Sequence, residues 1–435
     1  MELPLSHREN KRLIILLGFA LAVRVTLVFT HGDSNLANEW DPLVKNLLSG
    51  RGYAYYSVSP FGEITAQYLA EPAALIPSAY MPPLYAGYLA AIAYFTGLDY
   101  WGIKLTEMIQ AGIGVLTLLF VFKTAKLKFD TETAWIALLA LTIYPVLAYM
   151  PGQISAVNAY VFLNCSLIYL LVRWESTGNG FRWMAMGGVI SGLLMLSRPD
   201  FIIYFLFICI WIRQKRSRAV KSLAIYLSMA AMCLIPWVTR NYIIFHRFIP
   251  LTTSGGINLW EGQNQNASGT RSNYVVPNIE ISPAMSKAIN SLRPTQDYEI
   301  KRDRIYREYA LADLKAEPWR AAKLAWIKFT FLWGHYWGIH FSYPGAESFA
   351  YWFPWFFQLP FFVYGLYTAV RKRRGLSLFY AYLIISTSVA MVFFVIPRYR
   401  IFILPVVLLF AAYGLKEIFG PILLRWVAAN ARENR

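Results

Sequence analysis

LIILLGFALAVRVTLVF, residues 13–29, runs directly into THGDSNLANEWDPLVKNLLSGRGYAYYS, residues 30–57. The first stretch is apolar apart from Arg24 and Thr26. The second is polar and carries three acids, Asp33, Glu39 and Asp41. A span needs about 20 mainly apolar residues, and no small-residue cleavage site is well placed after this one. The pattern predicts an uncleaved first membrane span that delivers an acid-bearing segment to the outer face.

Similar apolar stretches recur along the 435 residues, which are 57% hydrophobic and 15% charged. Soluble domains average about 45–50% and about 25%. That excess of apolar residues requires lipid. The net charge of +17 comes from short Lys/Arg clusters between apolar runs, at Arg8/Lys11/Arg12, Lys123/Lys126/Lys128, 173–182, 213–221, 371–374 and Arg425. This is the positive-inside pattern, and it excludes a nucleic-acid partner as the reason for the charge. Cys165, Cys209 and Cys233 lie in apolar runs without paired spacing and read as small buried hydrophobes.

Taking the clusters as inner, the apolar segments between them pair as 132–150 with 154–172, 183–197 with 200–213, and 377–396 with 401–424. Two further pairs, 84–95 with 103–122 and 324–337 with 352–370, occupy places where one crossing is needed. The shorter member of each gives only about 20 Å against a hydrocarbon core of ~30 Å and reads as re-entrant or interfacial. The expectation is an all-α polytopic membrane protein with ten spans, twelve at most. Its modules are residues 1–239, including the first outer loop 30–81; an outer loop 240–321; and C-terminal helices 322–435. In the second loop, Ile305, Tyr309, Ala312 and Ala316 recur at helical spacing and predict an amphipathic surface helix.

Several residues could carry chemistry. A carboxylate just outside the bilayer suits a general base. Glu39 and Asp41 both qualify, although Asp41 ahead of Pro42 also reads as a helix N-cap. Arg24, inside the first span, must snorkel or face a cavity. Arg198 and Asp200 share a hairpin tip, where an ion pair is cheap. Arg398 and Arg400 lie at an outer span end, against the positive-inside trend. Arginine binds phosphate through a bidentate fork, so a lipid-borne phosphate is a suitable partner for them, with lipid headgroups or the first-loop acids as the alternative. Arg240 admits the same readings. Pro82 and Pro83, after Tyr80, suit a helix start. His335 and His340 do not share a helical face. The absence of HExxH, GxxxxGK[ST] and Ser-elbow motifs argues against a zinc protease, an ATP-driven pump and a serine hydrolase.

The segments NEWDPLVKNLLSGRGY, YMPPLYAGYLAAIAYFTG, SRPD, PWVTRNYIIFHRFIPLTTSGGINLWEGQN, EYALADLKAEPW and PRYRIFILPVVLLFAAYGL together resemble the glycosyltransferase C superfamily. The resemblance is to its family-39-like branch of protein O-mannosyltransferases and aminoarabinose transferases. It implies an inverting sugar transfer from a polyprenyl-phosphate donor to a lipid, glycan or protein acceptor. Glu39 would be the base or orienting group, with Asp41 as alternative. Arg398 and Arg400 would hold the departing phosphate, assisted by Arg240 or Arg198. Tyr80, Asn258, Trp260, Asn264 and Tyr399, on the same segments, would line the substrate pocket. Many members of the branch carry adjacent Asp-Glu in this loop where this chain has Glu-Trp-Asp. No cofactor is required by this chemistry, no metal site is spelled out, and some relatives in the superfamily use a divalent cation. The class suits a bacterial inner membrane with the site facing the periplasm. A transporter or flippase of lipid-linked saccharides, an oligosaccharide ligase or polymerase, and a scaffold subunit are the competing readings.

Overall fold

The computed structural model describes residues 6–177, 180–215, 219–270, 281–335, 345–372 and 375–433. His340 and parts of three basic clusters lie outside the described residues. The chain begins with α1 (His7–His31), α2 (Asp41–Leu48), strands β1 (Ala54–Val58), β2 (Ile64–Thr65) and β3 (Ala74–Pro77), α3 (Pro83–Thr96) and α4 (Tyr100–Lys128). It continues through α5 (Thr131–Ile143), α6 (Pro145–Tyr149), α7 (Ala156–Thr177), α8 (Phe181–Ser197), α9 (Phe201–Lys215) and α10 (Ala219–Phe245). Then follow α11 (Gly255–Gln263), α12 (Pro283–Asn290), α13 (Tyr298–Ala316), α14 (Pro318–Trp333), α15 (Gly345–Lys372), α16 (Ser377–Val392) and α17 (Tyr399–Glu433).

Among the described residues five helices, α1, α4, α7, α10 and the first part of α17, are long and apolar enough to cross a membrane. The segment expected as one span over 132–150 is broken: α5 and the stretch from Pro145 meet at 64°, and counting them as one span gives six. Pro145 causes the break, since it disfavours helical backbone at Tyr144 and removes an N–H. The other apolar segments behind the expectation of ten spans include shorter pieces such as α8 and α16, of 17 and 16 residues. Each covers only about 25 Å. Helix α3, expected to stop short of a crossing, has 14 residues, with Pro82 as N-cap and Gly97 as C-cap.

The main core lies among α4, α5, α7, α8, α9, α16 and α17, where Leu138, Leu167, Ile208 and Val407 are fully buried. By contrast only 11% of the most apolar part of α10 is buried, leaving Met232, Ile235 and Ile243 exposed. A bare apolar face on a span-length helix is a lipid-facing surface. The basic ends are cross-tied, with Glu175 of α7 accepting from Lys128 and Lys215 and Asp130 from Lys416.

The first outer loop holds an element the sequence reading did not expect, an antiparallel sheet in the order β2-β1-β3. Its β1, AYYSV, has the aromatic and β-branched residues that fit a pleated surface. Gly62, at φ +86, makes the turn into β2. In the second loop, the amphipathic helix is α13, but its buried face differs from the expected one. Glu299, Tyr306 and Ala310 are buried, Ile305 and Tyr309 only partly, and Ala312 and Ala316 are exposed. Polar contacts described below, rather than apolar periodicity, set that face.

Candidate active site

Glu39 sits on a turn between α1 and α2 whose neighbours point inward. Asn38 donates from Nδ2 to Ile154 O (3.0 Å) and accepts from Trp40 N at Oδ1 (3.0 Å). Trp40 is buried edge-on against Tyr85, with ring centroids 5.1 Å apart. With both flanking residues anchored, Glu39 projects outward. Its Oε1 lies 3.9 Å from Nη1 of Arg398, each side chain being 41% exposed. The fold thus brings together the proposed acid and the proposed phosphate ligand across most of the sequence. At 3.9 Å the two attract but do not hydrogen-bond.

Asp41 is not an N-cap. Trp40 occupies that position without a side-chain bond, and Asp41 is the first residue of α2. Its carboxylate pairs with Lys45 one turn on, at 2.7 Å. Glu39 and Asp41 therefore face different cations. Among the described residues no three His, Cys, Asp or Glu side chains gather closely enough to hold a metal ion.

The remaining arginines take other places. Arg400 is buried, donates to the carbonyls of Phe331 (2.7 Å), Leu332 (2.8 Å) and Gly334, and lies over the rings of Trp352 and Trp355. It thereby satisfies the otherwise unpaired carbonyls at the end of α14 and does not join Arg398 in this structure. Arg240 donates to Ser78 O (2.6 Å) and Tyr53 O (3.0 Å), clipping the first loop onto α10. Arg198 makes a two-bond fork to Asp200 (3.0 and 2.8 Å) and packs over Phe402 and Tyr399. Arg24 does not snorkel: it is buried, donating to Ala20 O one turn back and packing on Gly114.

The segment GGINLWEGQN forms α11, a strut behind the site. Two of its glycines are there because backbone passes too close for a Cβ. A Cβ at Gly256 would lie 2.1 Å from Asp303 O, and one at Gly262 1.9 Å from Phe393 O. The helix is charge-matched at both ends. Asp303 Oδ1 accepts from Gly256 N (2.6 Å) and Ile257 N (3.1 Å), while Lys328 donates to Gly262 O (2.7 Å) and Arg320 to Gln263 O (2.8 Å) and Asn264 O (2.7 Å). Gln263 Nε2 reaches Val392 O, and Val395 N reaches Gly269 O (3.0 Å). These bonds hold the residues that lead into Arg398. Trp260 is buried against Tyr306, and Asn264 is buried with Nδ2 on Trp260 O (2.9 Å). Asn258 is half-buried on the same helix. Tyr399 packs on Phe394 and Phe402 beside Arg398.

Tyr80 stacks on Tyr55 (5.1 Å) and lines a small cleft with Thr253, Ile257, Glu299, Arg302, Asp303 and Tyr306. The sequence reading did not single out Glu299. It is 2% exposed, and its Oε2 accepts from Ala79 N and Thr253 Oγ1, both at 2.9 Å, so it joins the two outer loops. Burial pushes its carboxyl up to about 7, outweighing those hydrogen bonds. Lys104, Glu107 and Lys328 were missed as well. Their sequence signal is a charge set alone in an apolar helical run, which is costly unless it is bonded.

The family model for dolichyl-phosphate-mannose-protein mannosyltransferases matches residues 81–242. No curated protein matches the chain in sequence. Among solved structures, the apo oligosaccharyltransferase of Archaeoglobus fulgidus superposes with a TM-score of 0.55 at 15% identity, over 98% of this chain and 53% of its own. AglB of the same organism, in complex with an inhibitory peptide and a dolichol-phosphate, gives 0.54 at 13% identity over 98% and 52%. ArnT from Cupriavidus metallidurans bound to undecaprenyl phosphate matches over 93% of this chain and 77% of its own, with a TM-score of 0.44 at 12% identity. The chain spans about half the length of the oligosaccharyltransferases it matches, and at these identities the likeness is one of fold. A glycosyltransferase family model thus matches residues 81–242, inside a fold that the chain shares along nearly its whole length with the two archaeal oligosaccharyltransferase structures.

Proposed function

We propose that the protein transfers a sugar, with inversion, from a polyprenyl-phosphate donor to a lipid, glycan or protein acceptor at the outer face of a bacterial inner membrane. The observation that carries this reading is the exposed pairing of Glu39 with Arg398 at 3.9 Å. Glu39 takes the proton from the acceptor hydroxyl or amine as that group attacks the anomeric carbon. The bond from that carbon to the phosphate oxygen breaks on the opposite face, its electron pair staying on the phosphate. Arg398 stabilises the charge developing there. Exposed ion pairs are worth only about 0–1 kcal/mol, so a phosphate can exchange for Glu39 on Arg398 at little cost. The paired state is then the resting state, and donor binding frees the base. The dolichol-phosphate bound in the archaeal structure agrees with a donor of this class.

The reaction as written needs no cofactor. Of the two candidate acids Glu39 and Asp41, Asp41 is held by Lys45, so a divalent ion here would draw on Glu39. The test supplies radiolabelled polyprenyl-phosphate sugars and membrane acceptors to the protein in nanodiscs and follows released polyprenyl phosphate, with and without EDTA. Release that survives EDTA and is lost in Glu39→Gln and Arg398→Ala is expected. Movement of lipid-linked sugar across liposomes without any release would replace the reading by a transporter.

A further inference from the structure

The most deeply buried charges of α4 take no part in the transfer itself, yet they are connected to Glu39. Lys104 and Glu107, 2% and 0% exposed, form an ion pair at 2.9 Å. Lys104 Nζ also donates to Val28 O (2.8 Å) and Asp33 O (2.9 Å), and Glu107 Oε1 accepts from Asp33 N (2.7 Å). Together they grip the exit of the chain from α1. The grip is so close that a Cβ on Gly32 would lie 2.6 Å from Glu107 Oε2 and 2.7 Å from Lys104 Nζ.

From this point the bonds run toward the base. Asp33 Oδ2 accepts from Ile154 N (2.7 Å), Ile154 O accepts from Asn38 Nδ2 (3.0 Å), and Asn38 Oδ1 accepts from Trp40 N (3.0 Å). A second line starts at Gln110, also on α4. It accepts from Tyr85 OH (2.8 Å), and the Tyr85 ring meets Trp40 edge-on. Both neighbours of Glu39 are therefore fixed from α4.

Burying an ion pair is a poor route to stability, because desolvation offsets most of the attraction. What such a pair supplies that apolar packing does not is direction, since charge-assisted bonds fix donors and acceptors at set angles. We propose that Lys104 and Glu107 are positioning residues for the transfer, setting the Asn38 turn so that Glu39 faces Arg398. This rests on the reading of Glu39 as the base.

The test makes Glu107→Gln and Asn38→Asp in both wild-type and Glu39→Gln backgrounds. Asn38→Asp keeps the oxygen that accepts from Trp40 and removes the donor to Ile154, so it cuts the relay far from the buried pair. Small misplacements of a reacting group cost up to about a hundredfold. In the wild-type background kcat should fall by about tenfold to a hundredfold with the donor KM unchanged, because Arg398 is not on the relay. In the Glu39→Gln background neither substitution should lower the residual rate further. An equal fractional loss in both backgrounds, or an unchanged kcat, would overturn the proposal. If Glu39→Gln is itself fully active, the base assignment has failed, and the relay is then read directly by a spin label on Glu39→Cys with the three native cysteines replaced by alanine. Sharper lines on adding Glu107→Gln are expected there, and identical lines would sink the relay.

Discussion

The two outer segments use their charges in opposite ways. In the first, Glu39 is left 41% exposed, held loosely against an equally exposed arginine. In the second, the carboxylates are spent on architecture: Glu299 is 2% exposed and bonded to both loops, and Asp303 closes the start of α11. The contrast teaches that an accessible carboxylate with a replaceable partner can do chemistry, whereas a buried one with fixed donors builds the frame around it.

The contrast breaks most sharply at Glu39. Glu39→Gln should cut turnover by about 10²–10⁴-fold, the usual worth of a general base, while thermal stability stays within about 0.5 kcal/mol of wild type, as for exposed substitutions. Unchanged turnover would move the chemistry elsewhere. Arg398→Ala should lose about 10²–10³ in rate as an electrostatic stabiliser of the leaving group, with Arg398→Lys in between, since a point charge replaces a fork.

The second segment should respond in stability first. Asp303→Ala strips the start of α11 of its acceptor and should cost about 0.5–2 kcal/mol in thermal or chemical unfolding. A loss of turnover without a loss of stability would contradict its structural role. Glu299 adds a pH dependence. Its folded pKa, about 7, lies above the ordinary 4.5, so its contribution to stability is full below the ordinary value and is lost as pH rises toward 7. The melting temperature should therefore decline across that window, and Glu299→Gln should flatten the decline. Parallel wild-type and mutant profiles would show that the titration lies elsewhere.

The smallest effect is expected at Asp41. Its partner Lys45 is one turn along the same helix, a pair worth about 0.2–0.5 kcal/mol, so Asp41→Asn should leave turnover and stability close to wild type. A large loss would instead make Asp41 the base.

Much of this was legible in the sequence. Long apolar runs and basic clusters indicate a membrane fold, Glu39 stands out as an acid in the polar segment after the first span, and Arg398 as a cation at an outer span end against the positive-inside trend. Arg400 read the same way and is not, because α17 starts at Tyr399. Residues two apart on or beside a helix do not face each other, so Arg398 stays outside while Arg400 turns toward α14. The face of α13 was misjudged for a related reason. Periodicity ranks residues by apolarity, but here Glu299 is buried and Asp303 half-buried, held by bonds to Ala79, Thr253 and Gly256, which lie far away in sequence. The sheet in the first loop was hidden in a tyrosine-rich run too short to show alternation.

The supports of the two charged partners become available at different times as the chain is made. Everything that fixes Glu39, from Glu107 to Ile154, lies before residue 160. The bonds that place Arg398 join residues 263–269 to 392–395. Chains are inserted from the N-terminus onward, so a half-synthesised molecule already holds its acid in position while the arginine is still missing. Under the proposed function such a nascent chain carries no complete site, since Glu39 meets Arg398 only once α11 has closed on the segment before α17.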